Sequence, residues 1–124
     1  MYKIFAKDDS VDLLGLNVMM KPVLETVSKC FFDYGIRCVV TAGKENGHSV
    51  GSYHRYGFAV DFRTKALTAV EKRGLTVTTR RRLRNYPFGD CYDVVLHETH
   101  LHVEFDVFRF LNAMFVSTRK EPGK

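Results

Sequence analysis

All five histidines of this 124-residue chain fall in two short windows. His48 and His54 lie in the first, and His97, His100 and His102 in the second. Random scatter seldom groups them so. A metal centre does, because each imidazole or carboxylate gives one lone pair to a common ion and a few segments supply them all. In the first window, SYHRYGFAVDF (52–62), His54 and Asp61 stand seven positions apart. That spacing is too long for one face of a helix and suits a loop that hands over to a strand. Gly57 permits a tight backbone at the hand-over. Ala59 and Asp61 are two apart and share one strand face, where the small Ala59 leaves room for an ion and a substrate. In the second window His100, His102 and Glu104 alternate with Leu101, Val103 and Phe105. A period of two describes a strand with its polar face toward a cleft and its apolar face toward the core. A strand regular back to Glu98 would add that carboxylate to the polar face. Zinc suits such donors; a catalytic zinc takes three protein ligands and keeps a fourth position for water.

The whole chain, 1–124, reads as one domain of α+β class, with a small, mostly antiparallel sheet and packed helices. Residues 18–34 carry Val23, Val27, Cys30, Phe31 and Tyr34 at helical spacing, and Gly35 fits the helix end. IRCVVTAG (36–43) is rich in β-branched residues and predicts a strand. KENGHSVGS (44–52) predicts a long polar loop, and GFAVDF (57–62) a second strand. Two further helices are expected, one over 64–74 ended by Gly74 and a short one over 78–85 stopped before Pro87. A turn follows at 88–90. Residues 91–97 and 100–108 are β-rich and form either a hairpin or one strand with an irregularity at Glu98–Thr99. A last helix falls over 108–115, and the tail from about 117 to 124 reads as flexible.

The length suffices to bury a core without staples. No apolar run approaches the roughly 18–20 residues that span a bilayer. The N-terminal stretch MYKIFAKDDSVDLL lacks the apolar core and cleavage site of a signal peptide, so synthesis in the cytoplasm is the expectation. Cys30, Cys38 and Cys91 are widely spaced in apolar segments and read as buried free thiols, not as a zinc motif or a disulfide framework. The net charge of +5 suits an anionic partner, either nucleic acid or a negatively charged envelope polymer. The run Arg80, Arg81, Arg82 and Arg84, with Lys72 and Arg73, is either a solvated helix face or the footprint of such a polymer. It has no interleaved aromatics and no recognised nucleic-acid fold, so nucleic acid is the less favoured partner.

The two histidine windows resemble the motifs of the M15 family of zinc peptidases. That family includes D-alanyl-D-alanine carboxypeptidases, dipeptidases of the vancomycin-resistance type and phage endolysins. Its first motif, SxHxxGxAxD, is matched at each fixed position by Ser52, His54, Gly57, Ala59 and Asp61. Its closing HxH is matched by HLH, whose second histidine is His102. VVTAG (39–43) is similar to the strand that precedes the first motif, and the likeness runs from about residue 18 to 107. The resemblance implies the M15 (hedgehog/DD-peptidase-like) fold and zinc on His54, Asp61 and His102. It implies hydrolysis of peptide bonds in peptidoglycan stem peptides, as in a small phage-type lysin that acts on the cell wall.

Two places depart from the family pattern. Many members carry an arginine in a phrase such as SGYR, which polarises the scissile carbonyl; here the phrase is TAGK and Lys44 stands near that place. Lysine offers a point charge without the bidentate fork. Several members place Asp or Glu three residues before the last zinc histidine; here that residue is Thr99. HETHLH instead matches a pattern HxxHxH. Glu98 is favoured as base on chemistry and His97 on pattern, with His100 steadying the oxyanion or orienting the water. Ser52 reads as a hydrogen-bond partner of the loop, and His48 as a polar loop residue. The rival reading is a non-enzymatic, metal-stabilised binding module of the same fold, contacting nucleic acid or virion or envelope components.

Overall fold

The computed structural model describes residues 2–45 and 47–119, with 116–119 followed by backbone alone. Helix α1 (Lys21–Tyr34) is entered through a 3-10 turn over Val18–Met20, whose cap, Asn17, accepts the Met19 N–H at 3.0 Å. Pro22 sits in the first turn, where its missing N–H costs nothing. Gly35, at φ +71°, ends the helix by donating to carbonyls of the last turn. The face made by Val23, Val27, Cys30 and Phe31 is buried, as the helical spacing predicts.

Helix α2 (Ala69–Leu83) corrects the expectation of two helices broken at Gly74. Thr68 and Glu71 form a reciprocal capping box that starts the helix. Residues 64–67 before it make a turn, closed by Leu67 N–H to the Thr64 carbonyl at 3.0 Å. The helix then runs through Gly74, because that residue faces α1: a Cβ there would sit 2.8 Å from Tyr34 Oη. The glycine marks a close approach and not a stop. Burial of Leu75, Thr76, Thr79 and Leu83 outweighs its cost of about 1 kcal/mol in a helix interior.

The strands are β1 (Phe5–Ala6), β2 (Val39–Ala42), β3 (Ala59–Arg63), β4 (Tyr92–Leu96) and β5 (His100–Phe105). They form one mixed sheet in the order β1-β2-β3-β5-β4. β1 runs parallel to β2, and every other pair is antiparallel. β1 went unforeseen in the sequence, being only two residues long. β4 and β5 are a hairpin, so the first of the two alternatives holds; its turn contains Glu98 and Thr99. A third helix, α3 (Val107–Arg119), extends the expected 108–115 at its C-terminal end. Residues 117–119 of the tail that read as flexible lie in α3, and 120–124 fall outside the described residues, as does residue 46 of the polar loop.

Alternation divides the sheet into two faces. Val60 and Phe62 of β3 and Leu101, Val103 and Phe105 of β5 face one side and pack with Val23, Val27 and Phe31 of α1 and Leu75 and Leu83 of α2. Cys30, Cys38 and Cys91 are buried free thiols in the same core. The opposite face carries Asp61, His100, His102 and Glu104. No helix among the described residues is long and apolar enough to cross a membrane.

Two glycines test the backbone argument. Gly35 and Gly57 both hold positive φ, +71° and +79°. A Cβ at Gly35 meets open space, whereas one at Gly57 comes within 2.6 Å of the Gly15 carbonyl and 3.1 Å of Asn17 N. Gly35→Ala is expected to cost about 1 kcal/mol, from the left-handed conformation alone. Gly57→Ala is expected to cost about 3 kcal/mol or more, because backbone must move as well. Denaturant unfolding of the two variants checks the order.

Candidate metal centre

The loop before β3 fixes His54 from both sides. Ser52 caps a short 3-10 turn, Tyr53–Tyr56, its hydroxyl accepting the His54 N–H at 3.2 Å. Gly57 closes that turn with its N–H on the His54 carbonyl, and its own carbonyl accepts the Asn17 N–H at 2.8 Å. His54 is only 6% exposed. Its Nδ1 lies 3.0 Å from the Gly43 carbonyl. A carbonyl only accepts, so Nδ1 carries a proton and Nε2 is the nitrogen left to meet an ion. Nε2 faces Asp61 Oδ2 at 3.3 Å.

Gly43 is held in turn by Glu45. That carboxylate accepts the Gly43 N–H at 2.8 Å and the Asp12 N–H at 3.0 Å, and it pairs with His48 Nε2 at 2.5 Å. Burial pushes the Glu45 carboxyl up, but these bonds outweigh it and hold the group below its ordinary range. His48 stacks on His54 with ring centres 4.5 Å apart. The loop is therefore a chain of contacts that ends by orienting one imidazole.

β3 and β5 supply the rest. Asp61 and His102 are direct cross-strand partners. His102 Nδ1 lies 2.6 Å from Asp61 Oδ1, and His102 Nε2 lies 2.7 Å from Glu104 Oε1. Both contacts are to carboxylates, so the ring donates from both nitrogens. Burial pushes the His102 pKa down, but the bonds to Asp61 and Glu104 prevail and raise it. Burial likewise pushes Asp61 up, and its bonds from His102 and His54 prevail and hold it well below the usual carboxylate range.

One ligand atom from each of His54, Asp61 and His102 lies within 4.8 Å of the others. Atoms bound tetrahedrally to one zinc at 2.0–2.2 Å sit about 3.3–3.5 Å apart, so the 3.3 Å His54–Asp61 separation fits a shared ion. Two imidazoles and a carboxylate are a donor set for a divalent transition metal. His102 would bind through Nδ1, leaving Nε2–H on Glu104, and His54 through Nε2, leaving Nδ1–H on the Gly43 carbonyl. Each ring then keeps the outer hydrogen bond that metal-bound histidines ordinarily make.

The other expected residues divide. His100 is brought in: its Nε2 lies 3.8 Å from Asp61 Oδ2, and Thr99 Oγ1 holds its Nδ1 at 3.0 Å. Burial lowers its pKa, which the nearby Asp61 only partly offsets. His97 follows, stacked on His100 at 4.7 Å and edge-on to His102 at 6.2 Å. Glu98 does not join them. β5 begins at His100, so the regular strand never reaches Glu98. It lies exposed in the hairpin turn, with no hydrogen-bond or ion-pair partner among the described residues. Lys44 stands exposed on the loop beyond Gly43.

Two participants carried no role in the sequence reading. Glu104 was placed on the polar face by alternation alone, and the rule that a ligating histidine needs an outer acceptor would have picked it out. Glu45 left no signal, since it acts on the backbone N–H groups of Gly43 and Asp12, which no side-chain pattern marks. Comparison of the chain with protein-family models, with curated proteins and with solved structures finds no match.

Three measurements follow from this geometry. Zinc titrated into the metal-stripped protein should bind one equivalent, and His54→Ala, Asp61→Ala or His102→Ala should each abolish tight binding. Glu104→Gln should weaken it about 10–100-fold, as loss of an outer partner does. Linkage sets the pH dependence. The raised His102 pKa favours the fold most below its unfolded value, and that contribution fades as pH rises through the folded one. The lowered Asp61 pKa favours the fold above its unfolded value and fades as pH falls. The metal-free protein should therefore gain most from the pair between about pH 4 and 6.5. Zinc must displace the His102 proton, so its affinity should rise with pH. Calorimetric titration and thermal melts at several pH values read both trends.

Proposed function

We propose that the chain is a zinc peptidase with the M15 (hedgehog/DD-peptidase-like) fold, which hydrolyses peptide bonds in bacterial peptidoglycan stem peptides. The observation that carries this reading is the convergence of His54 and Asp61 from one motif with His102 from the other. When bound, zinc lowers the pKa of a coordinated water toward about 7 and polarises the carbonyl beside it. The protein's own residues do the rest. Gly43 and Glu104 hold the two imidazoles in the tautomers that ligation needs. Asp61, ionised and well below its usual range, supplies the negative ligand.

Hydrolysis adds water across the C–N bond. The water oxygen joins the carbonyl carbon, and one proton must travel to the departing amine. We assign that proton traffic to His100, backed by the stacked His97, in place of Glu98. His100 is the imidazole outside the ligand set that comes nearest Asp61. Burial keeps its ring neutral enough to accept a proton. The site of action on this reading is the cell wall.

The test is digestion of purified peptidoglycan by zinc-loaded protein, with mass spectrometry of the products. New fragments that vanish with His102→Ala are the expected result, and their masses name the bond cut. His100→Ala should lower kcat about 10²–10⁴-fold, the range for one acid–base group. Glu98→Gln should leave it nearly unchanged. No fragments from a folded, zinc-containing protein would remove the peptidase reading.

A further inference from the structure

A cavity of about 560 Å³ opens where α1, the end of α2 and the N-terminal segment meet, inside the roughly 300–1,000 Å³ span of small-ligand sites. No candidate metal ligand lines it. Glu25 and Thr26 of α1 stand one turn before Lys29, at spacings of four and three that share a helix face. α2 contributes Arg82 in its last turn, and Asn85 and Tyr86 follow just past its end. Tyr2 closes the third side, its ring against Phe32 with centres 4.7 Å apart.

The cavity gathers donors that the protein leaves unused. Successive residues turn about 100° round a helix, so Arg82 points nearly opposite to Arg80. Arg80 spends its guanidinium on the Val94 carbonyl, whereas the half-buried Arg82 has no side-chain hydrogen-bond or ion-pair partner among the described residues. Nor do the Asn85 amide, the Tyr86 hydroxyl or the hydroxyl of Thr26, a residue only 5% exposed. Lys29 adds a second cation. Its bond to Asp33 at 2.9 Å raises its pKa, and Arg82 stands near enough to work against that rise. The one acid, Glu25, lies 3.9 Å from Lys21. Arg82 is therefore the charge left unanswered. The arginine run carries no aromatics of its own, but the fold brings Tyr2 and Tyr86 to the same cavity as Arg82.

We propose that this cavity is a nucleotide-binding site, with the phosphate on Arg82 and Lys29 and the base against the Tyr86 ring. Arginine's planar fork matches a phosphate bidentately, and lysine adds a point charge. Every base has a π-face to lay on an aromatic ring. Glu25 and Asn85 add acceptors, which ribose hydroxyls and an exocyclic amine can use and a bare anion cannot. An acid set among cations and tyrosines therefore fits a nucleotide better than a plain polyanion. The site stands apart from the peptidase reading and needs no metal.

The experiment titrates metal-stripped protein with adenosine 5′-monophosphate, adenosine and ribose 5-phosphate, read by NMR, so that phosphate on a metal cannot pass for this site. The monophosphate should shift the signals of Arg82, Asn85 and Tyr86. It should bind about tenfold or more tightly than either fragment, since each fragment lacks one of the two main contacts. Arg82→Gln should erase its advantage over adenosine, and Tyr86→Leu its advantage over ribose 5-phosphate. Arg81→Gln, at an exposed neighbour on the same helix, should change neither. The amide spectrum away from the cavity reports that each variant folds. An oligodeoxyadenylate separates the two sources of the ligand. Binding tighter than the monophosphate that falls steeply with salt marks single-stranded nucleic acid, and equal or weaker binding marks a free nucleotide. No binding of the monophosphate, either fragment binding as well as the monophosphate, or an advantage over adenosine that survives Arg82→Gln, would overturn the site.

Discussion

The β3–β5 register is the constraint on which the site depends. Asp61 lies opposite His102 because Val60 lies opposite Val103 and Phe62 opposite Leu101. Those four apolar side chains are fully buried. A slip of either strand by one residue would turn its own pair toward solvent and its polar neighbours into the core. The chemistry on the open face is therefore aligned by hydrophobic burial on the other face. No polar interaction among the site residues has to set the register, which leaves them free to be arranged for an ion.

That freedom shows in how the two histidines are oriented. His54 leans on a backbone carbonyl, which can only accept, and so its tautomer is settled before any metal arrives. His102 leans on Glu104 with one nitrogen and on Asp61 with the other. Two carboxylates and a doubly protonated ring make a site whose electrostatics already suit a cation. A dication bound there replaces the His102 proton facing Asp61 and leaves the outer bond to Glu104 unaltered. The Gly43–Glu45 segment plays the corresponding part for His54: the Gly43 carbonyl takes the ring N–H while Glu45 holds the Gly43 N–H, and no second carboxylate touches the ring.

Much of this was legible in the sequence, for identifiable reasons. Periodicity placed His100, His102 and Glu104 on one strand face, and the turn chemistry around Gly57 placed His54 at a loop-to-strand hand-over. Local rules failed where distant contacts decide. Gly74 reads as a helix stop, and only its approach to Tyr34 explains why the helix continues. Glu98 is attractive by chemistry and adjacency, yet the hairpin spends Glu98 and Thr99 on its turn. β1 is too short to leave a pattern, and Glu45 works through amide groups that every residue shares.

The distribution of positive charge follows the same logic and changes what the arginine run can mean. Arg80 is not part of a free patch: its guanidinium bonds the Val94 carbonyl through two nitrogens, at 3.1 and 2.7 Å. β4 is an edge strand, and this bond covers one of its outward carbonyls, a protection that exposed edges need. Arg109 is similarly engaged with Asp93 and Asp106. Arg81 and Arg82 belong to α2, which packs on the core face of the sheet, whereas Arg84, just past its end, lines with Arg80 a cavity that Glu104 also lines. Screening over roughly 8–10 Å at ordinary salt confines each cation's influence to its own surroundings. Net charge alone therefore says little about the substrate, because these arginines are divided among a bond to the chain's own backbone, the helix on the core side and the cavity beside Glu104.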